Sequence, residues 1–367
     1  MHALKEYPLA QLSPDTLRVW GRTNGSLSPL TLFWTGSALE LNVKGSELWL
    51  EVESDFSTFE QWAAVVVNGD VIARMPLPVG RHWLCIFRGM APDKVKNIRF
   101  VKEIQPMGGD GKSLFQLHGL RTDGELLPVP ALPRKIEFVG DSITSGEGLV
   151  GAKAEQDWRP MFFSAVCGYP CLTAALCNAE YRQVSQCGWG VLSGWDNTPD
   201  CTIPRIYGQI CGPLEGPGQR ELGAQEAYGF AAWQPDAVVI NLGTNDAGAR
   251  RQPPWQDAAG QSFQQTGDMA GQALFRGAVV EFLKDVRQKN PGAWLVWAYG
   301  MLGREMVREL REAIHEYKKE TGDRNVEFLL LPATTDETMG SRGHSGKKAH
   351  AQAAEVLADF LKTMWGE

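Results

Sequence analysis

Three prolines crowd the run Leu127-Pro128-Val129-Pro130-Ala131-Leu132-Pro133, and the hydrophobic period of the chain changes across it. Proline has no backbone N–H and a fixed φ, so such a run suits a stiff connection rather than a central strand or a helix interior. It divides the sequence into residues 1–130 and 131–367. With 367 residues in total, each part is long enough to bury a core of its own.

Ahead of the prolines the sequence reads as short strands, at residues 16–20, 30–34, 39–43, 47–52, 63–67, 83–87 and 97–101. Leu39-Glu40-Leu41-Asn42-Val43 and Leu48-Trp49-Leu50-Glu51-Val52 alternate apolar and polar side chains, as a half-buried strand requires. Asn68-Gly69-Asp70 between apolar runs signals a tight hairpin. The expectation is an antiparallel β-sandwich of the jelly-roll-like kind. Beyond the prolines, apolar strands at 136–139, 181–185, 237–242, 293–299 and 326–331 alternate with helical stretches near 162–177, 273–289, 304–319 and 347–364. Parallel strands need crossover connections, so this alternation predicts an α/β fold, a parallel sheet flanked by helices.

Composition excludes several classes. A net charge of -7 without a dense basic run argues against nucleic acid or an anionic membrane as partner, and favours a neutral substrate. Lys5 and Glu6 stand where a signal peptide needs an apolar core, and no apolar run approaches the length of a membrane span. A cytoplasmic protein is expected. Cys85, Cys167, Cys171, Cys177, Cys187, Cys201 and Cys211 lack the paired spacing and nearby His of a zinc site; they read as free thiols, with no metal expected. Oligomeric state is left open.

Chemistry in open parallel sheets collects at the carboxyl ends of strands. There the first strand runs into Gly140-Asp141-Ser142-Ile143-Thr144-Ser145-Gly146-Glu147-Gly148, the third into Leu242-Gly243-Thr244-Asn245-Asp246, and the last helix is preceded by Gly343-His344-Ser345-Gly346. A Ser leaving a strand among glycines exposes its hydroxyl at a sharp turn, although Gly-Asp-Ser also suits an ordinary helix cap. His344 has the chemistry to take and return the Ser142 proton near neutrality.

In this order, these segments resemble the blocks of the SGNH (GDSL-like) hydrolase family: Gly-Asp-Ser, a Gly after the second strand at Gly188, Gly-x-Asn-Asp, and a late His. His350, six residues after His344, also fits the pattern. The resemblance implies a flavodoxin-like sheet over residues 131–367, with Ser142 as nucleophile and His344 as base. It also implies an oxyanion hole from the N–H groups of Ser142 and Gly188 and the amide of Asn245. The family's Asp three residues before the His is replaced by Ser341. A Ser-His dyad with a backbone carbonyl behind the ring is therefore expected, with Asp336 or Glu337 as the carboxylates that a folded-back loop would bring.

A β-sandwich fused to such a domain, together with Arg18-Val19-Trp20-Gly21-Arg22-Thr23 and Leu32-Phe33-Trp34-Thr35-Gly36-Ser37, looks like carbohydrate esterase family 2. That likeness implies deacetylation of xylan, mannan or glucomannan oligosaccharides without a cofactor. Trp189, Trp195 and Asp246 are the expected substrate-binding residues; Tyr207, Trp233 and Trp255 belong to the same aromatic-rich segments. The sandwich is expected to wall or support the cleft. Rival readings are a broad lipase or thioesterase of the same superfamily, and a carbohydrate-binding protein with a vestigial site.

Overall fold

A computed structural model describes residues 3–367. The chain forms two compact units. One holds the residues up to Leu132 with Arg159–Met161 and Gln209–Tyr228; the other holds Pro133–Trp158, Phe162–Gly208 and Gly229–Glu367.

The first unit has two antiparallel sheets. One contains Lys5–Pro8, Leu30–Thr31, Glu47–Asp55, Gly80–Arg88 and Leu114–Thr122; the other contains Leu17–Trp20, Ala38–Lys44, Trp62–Val67, Asp70–Pro76, Val95–Lys102 and Glu125–Leu127. Alternate residues of both, among them Leu39, Leu41, Leu48, Leu50, Val65, Ile98, Phe100, Phe115 and Leu117, pack into one apolar core. Asn68 and Gly69 both have positive φ, 52° and 94°, which is the turn that joins Trp62–Val67 tightly to Asp70–Pro76. The strands at 5–8, 70–76, 114–122 and 125–127 lack a simple alternation and are seen only in the structure. The expected strand at 30–34 shrinks to Leu30–Thr31, which pair with Leu117 and Gln116, while Leu32, Phe33 and Trp34 continue beyond it as buried residues outside the sheet.

The segment Gln209–Tyr228 packs with this unit through polar anchors. The Trp34 indole donates to the Ile210 carbonyl at 2.6 Å, Gln219 Nε2 donates to the Asp110 carbonyl at 2.8 Å, and the Arg22 guanidinium lies 4.4 Å from the Tyr228 ring centroid. Lys102 is buried here. Its ammonium donates to Gln61 Oε1 at 2.6 Å and faces the Phe115 ring, and burial pushes its pKa down to about 7.

The second unit is built on a parallel sheet of Arg134–Gly140, Ala179–Ser185, Ala237–Asn241, Trp294–Tyr299 and Val326–Leu330, in the spatial order second, first, third, fourth, fifth. That is the flavodoxin-like order. Because the chain moves one way from the first strand and the other way from the third, right-handed crossovers put helices on both faces. Met269–Lys289 packs on Val307–Thr321, and Tyr169–Leu176 on Lys347–Trp365. The last helix buries Ala349, Ala353, Ala354, Leu357, Ala358 and Leu361, a stripe at helical spacing. The helix expected over 162–177 begins only at Tyr169, since Pro170 fits the first turn of a helix but not its interior. The order reverses between the first and third strands, where Gly140 pairs with Asn241. No helix among the described residues is long and apolar enough to cross a membrane.

Candidate active site

The loops that carry chemistry leave the first and third strands at this switch point. Asp141 caps the short helix Ser142–Ser145 by accepting the Ile143 N–H at 3.0 Å, which holds Ser142 at the first helical position. Gly140 is required just before it. A Cβ there would lie 2.0 Å from Thr144 Oγ1 and 2.9 Å from the Asn241 carbonyl oxygen.

His344 arrives from the other side. Its Nε2 lies 3.0 Å from Ser142 Oγ, and its Nδ1 lies 3.1 Å from the Arg342 carbonyl oxygen. With Nδ1 protonated and donating to that carbonyl, Nε2 is left to accept the Ser142 hydroxyl proton. Arg342 holds a left-handed conformation, φ 55° and ψ 30°, and this turns its carbonyl toward the ring. Neither carboxylate considered from the sequence takes that place: Asp336 and Glu337 are exposed, and Asp336 pairs with Lys153. Ser341 is buried, with its hydroxyl donating to the Gly148 carbonyl at 3.3 Å. His350 is buried rather than part of the reacting group. It stacks on Tyr169 and accepts the Tyr169 N–H at 3.0 Å, and burial, reinforced by His344, pushes its pKa down to about 3.

The expected oxyanion donors come together less uniformly. Among the described residues the N–H groups of Ser142 and Gly188 donate to no other residue, and Gly188 has φ 78°, a left-handed turn that glycine adopts without steric cost. Asn245 begins beside them in the helix Thr244–Ala249, but its amide nitrogen already donates to Asp141 Oδ2 at 3.1 Å and to the Trp189 carbonyl at 2.9 Å. Asp141 itself is wholly buried. Burial pushes its pKa up to about 7 despite the Ile143 N–H, and the negative charges of Asp246 and Glu147 add to the rise.

Asp246 does not stand where a substrate-binding group would. It is fully buried, and its carboxylate accepts the Val191 and Leu192 N–H groups and the Gln265 amide, which fixes the loop after the second strand. Trp195 remains exposed, with its N–H donating to the Gly188 carbonyl at 2.9 Å, and Trp189 is half-buried. Tyr207 and Trp233 are core residues, tied to Glu137 and Glu180 respectively, and Trp255 lies in a small hairpin with Phe263. All seven cysteines are free.

One residue at the centre was not foreseen. Glu147 is only 5% exposed, and its Oε2 lies 3.6 Å from His344 Nε2.

Comparison with known proteins places the chain in a family. The model of the GDSL-like lipase/acylhydrolase family matches residues 138–352. This chain belongs to the GDSL-like lipase/acylhydrolase family. Among solved structures, an acetyl xylan esterase from the rumen bacterium Butyrivibrio proteoclasticus is 41% identical, superposes with a TM-score of 0.97, and the match covers 99% of both chains. Solved family two carbohydrate esterases, at 24% identity or lower, share the fold. Two curated relatives are a cellulase/esterase of Acetivibrio thermocellus, 26% identical over 91% of this chain, and an acetylxylan esterase / glucomannan deacetylase of Cellvibrio japonicus, 28% identical over 59% of it. The chain spans only 37% and 56% of the lengths of those two proteins.

Proposed function

We propose that this member of the family is a serine esterase that removes O-acetyl groups from acetylated plant oligosaccharides of the xylan, mannan or glucomannan type. The observation that carries the reading is the 3.0 Å approach of His344 Nε2 to Ser142 Oγ, together with the Ser142 and Gly188 N–H groups, which donate to no other residue among those described. The names of the similar acetyl xylan esterase and of the acetylxylan esterase / glucomannan deacetylase support the substrate class.

The Ser142 oxygen attacks the acetyl carbonyl while its proton passes to His344 Nε2. The carbonyl oxygen, now negative, is met by the Ser142 and Gly188 N–H groups, where fixed donors stabilise the charge as it develops. Asn245 joins them by exchanging its bond to the Trp189 carbonyl for one to the oxyanion. His344 then returns the proton to the sugar oxygen as the C–O bond breaks, leaving an acetyl-enzyme that water hydrolyses by the same steps. The pair works as a dyad, with the Arg342 carbonyl holding the ring. The exposed Trp195, with Trp189 beside it, offers an aromatic face to the sugar. Residues 1–130 form a jelly-roll-like accessory domain, and the residues from 131 onward carry the catalysis.

The test is acetate release from acetylated xylan and glucomannan oligosaccharides by the wild type beside Ser142→Ala. Release that the substitution reduces by about 10⁶-fold is expected, the order of loss in kcat seen when a serine nucleophile is removed. Release unchanged in Ser142→Ala would falsify the assignment. Preference for long-chain acyl esters would replace it with a lipase, and glycan binding without any release would replace it with a binding protein.

A further inference from the structure

A dyad lacks the charge that a triad's Asp supplies to the protonated ring. The Arg342 carbonyl orients His344, but it is a neutral dipole and balances the positive imidazolium only in part. Glu147 brings a carboxylate to that ring, its Oε2 lying 3.6 Å from His344 Nε2.

The local sequence delivers Glu147 there. Gly146 ends the short helix in the left-handed region at φ 74°, and Gly148 follows at φ 69°, so the chain reverses on either side of Glu147. A Cβ at Gly148 would stand 2.5 Å from the Ser341 carbonyl oxygen and 3.1 Å from His344 Cβ, so only glycine lets the histidine loop come this close. The Glu147 N–H is tied to the Ser142 carbonyl at 3.0 Å, which couples the carboxylate to the nucleophile's own turn. Its Oε1 lies 3.5 Å from Arg342 Nε, and the Cys187 thiol bonds to the carboxylate.

We propose that Glu147 is a catalytic counter-ion that stabilises the His344 imidazolium on its Nε2 side, in place of the missing Asp on the Nδ1 side. The inference rests on the serine-esterase reading above. In the resting site Nε2 presents a lone pair, which a carboxylate does not favour. Once Nε2 has taken the Ser142 proton, its N–H points between the departing oxygen and Glu147 Oε2, and the interaction turns attractive. The contact is thus worth more in the transition state than in the ground state, which is the condition for lowering a barrier. No atom is transferred to Glu147. The proton moves from Ser142 Oγ to His344 Nε2 and on to the sugar oxygen. The groups facing the ring are Ser142 and Glu147 from the nucleophile segment, Arg342 from its own loop and His350 from the last helix, while Cys187 from the loop after the second strand bonds to the Glu147 carboxylate. Burial keeps His350 neutral, and burial together with Glu147 keeps Cys187 a thiol. The balance of charge at the ring is therefore set by Glu147 against Arg342.

The experiment is the pH dependence of kcat/KM on 4-nitrophenyl acetate for wild type, Glu147→Gln and Arg342→Gln, with Ser142→Ala as control. This ester requires no sugar site, so the profile is readable whichever glycan the protein prefers. Glu147→Gln keeps the shape and the acceptor for Cys187 but loses the charge. Its acid limb should move to lower pH by about one unit, with kcat down about 10- to 100-fold. Arg342→Gln changes an exposed side chain, leaves the carbonyl behind His344, and should move the limb the opposite way. Following the His344 ring signal by NMR gives the same comparison without turnover. If Glu147→Gln loses activity with its limb and ring signal unmoved, Glu147 is a structural residue and the inference fails. If Ser142→Ala hydrolyses the ester as well as wild type, the esterase reading fails first.

Discussion

The arrangement of single hydrogen bonds around Ser142 makes Asp141 more than a helix cap. One of its oxygens takes the Ile143 N–H and the other holds the Asn245 amide at 3.1 Å, so the capping residue also fixes which end of that amide faces the site. Asp141→Asn keeps one oxygen for the cap and turns an NH₂ group toward Asn245, whose amide must rotate to present its oxygen. The oxyanion then loses a donor. We expect kcat to fall by about 10²- to 10³-fold, the cost of one such donor, with the melting temperature changed far less. Steady-state kinetics beside a thermal melt checks it, and an unchanged kcat would remove Asn245 from the oxyanion hole. At this scale the sequence marked Ser142, His344 and Asn245 as candidates because their residue types and order are distinctive. Glu147 stayed hidden because Gly-Glu-Gly reads as an ordinary turn, and the Arg342 carbonyl because a backbone oxygen leaves no mark on residue identity.

Between elements, what matters is how closely the first strand, the nucleophile turn and the third strand approach one another. Gly140 pairs with Asn241 while Thr144 folds back over it, its hydroxyl bonded to that of Tyr169 at 2.8 Å. The turn is therefore packed on a backbone oxygen and on a tethered side chain, and neither yields easily. Gly140→Ala should cost about 1–3 kcal/mol, as overpacking generally does, and should lower activity by displacing Ser142 from His344. Denaturant unfolding and ester hydrolysis measured on the same preparation test both parts. A variant as stable as wild type would show that Thr144 moves aside freely. The parallel strands were legible as elements because strands buried on both faces are continuous apolar runs between helical periods. Several sandwich strands were not, since strands such as Asp70–Pro76 are largely exposed on both faces and carry no alternation.

For the molecule as a whole, the buried Lys102 in the first unit ties stability to pH. Its folded value of about 7 lies below the ordinary 10.5. Between the two the unfolded chain holds a proton that the folded chain does not, so stability rises with pH across this window. It is fully present above the ordinary value and lost as pH falls through about 7. Lys102→Met removes the buried amine at the expense of the Gln61 bond. It should stabilise the protein near neutral pH by up to several kcal/mol, at about 1.4 kcal/mol per unit of separation, with the gain shrinking as pH rises. Denaturant midpoints of both proteins over a pH series test this, and a difference independent of pH would show that the amine titrates normally.

The sequence by itself determined the two hydrophobic periods, the α/β order of the second unit and the residues that match the family blocks. These are local properties: side-chain pattern, turn chemistry and the identity of reactive groups. Tertiary structure alone decided the rest. It took Gln209–Tyr228 into the unit of the amino-terminal sheets, buried Asp246 as a loop anchor, aimed the Arg342 carbonyl at His344 and brought Glu147 to the other side of the ring. Each of these depends on contacts between residues distant in sequence or on a backbone dihedral, and neither is written in the period of the chain.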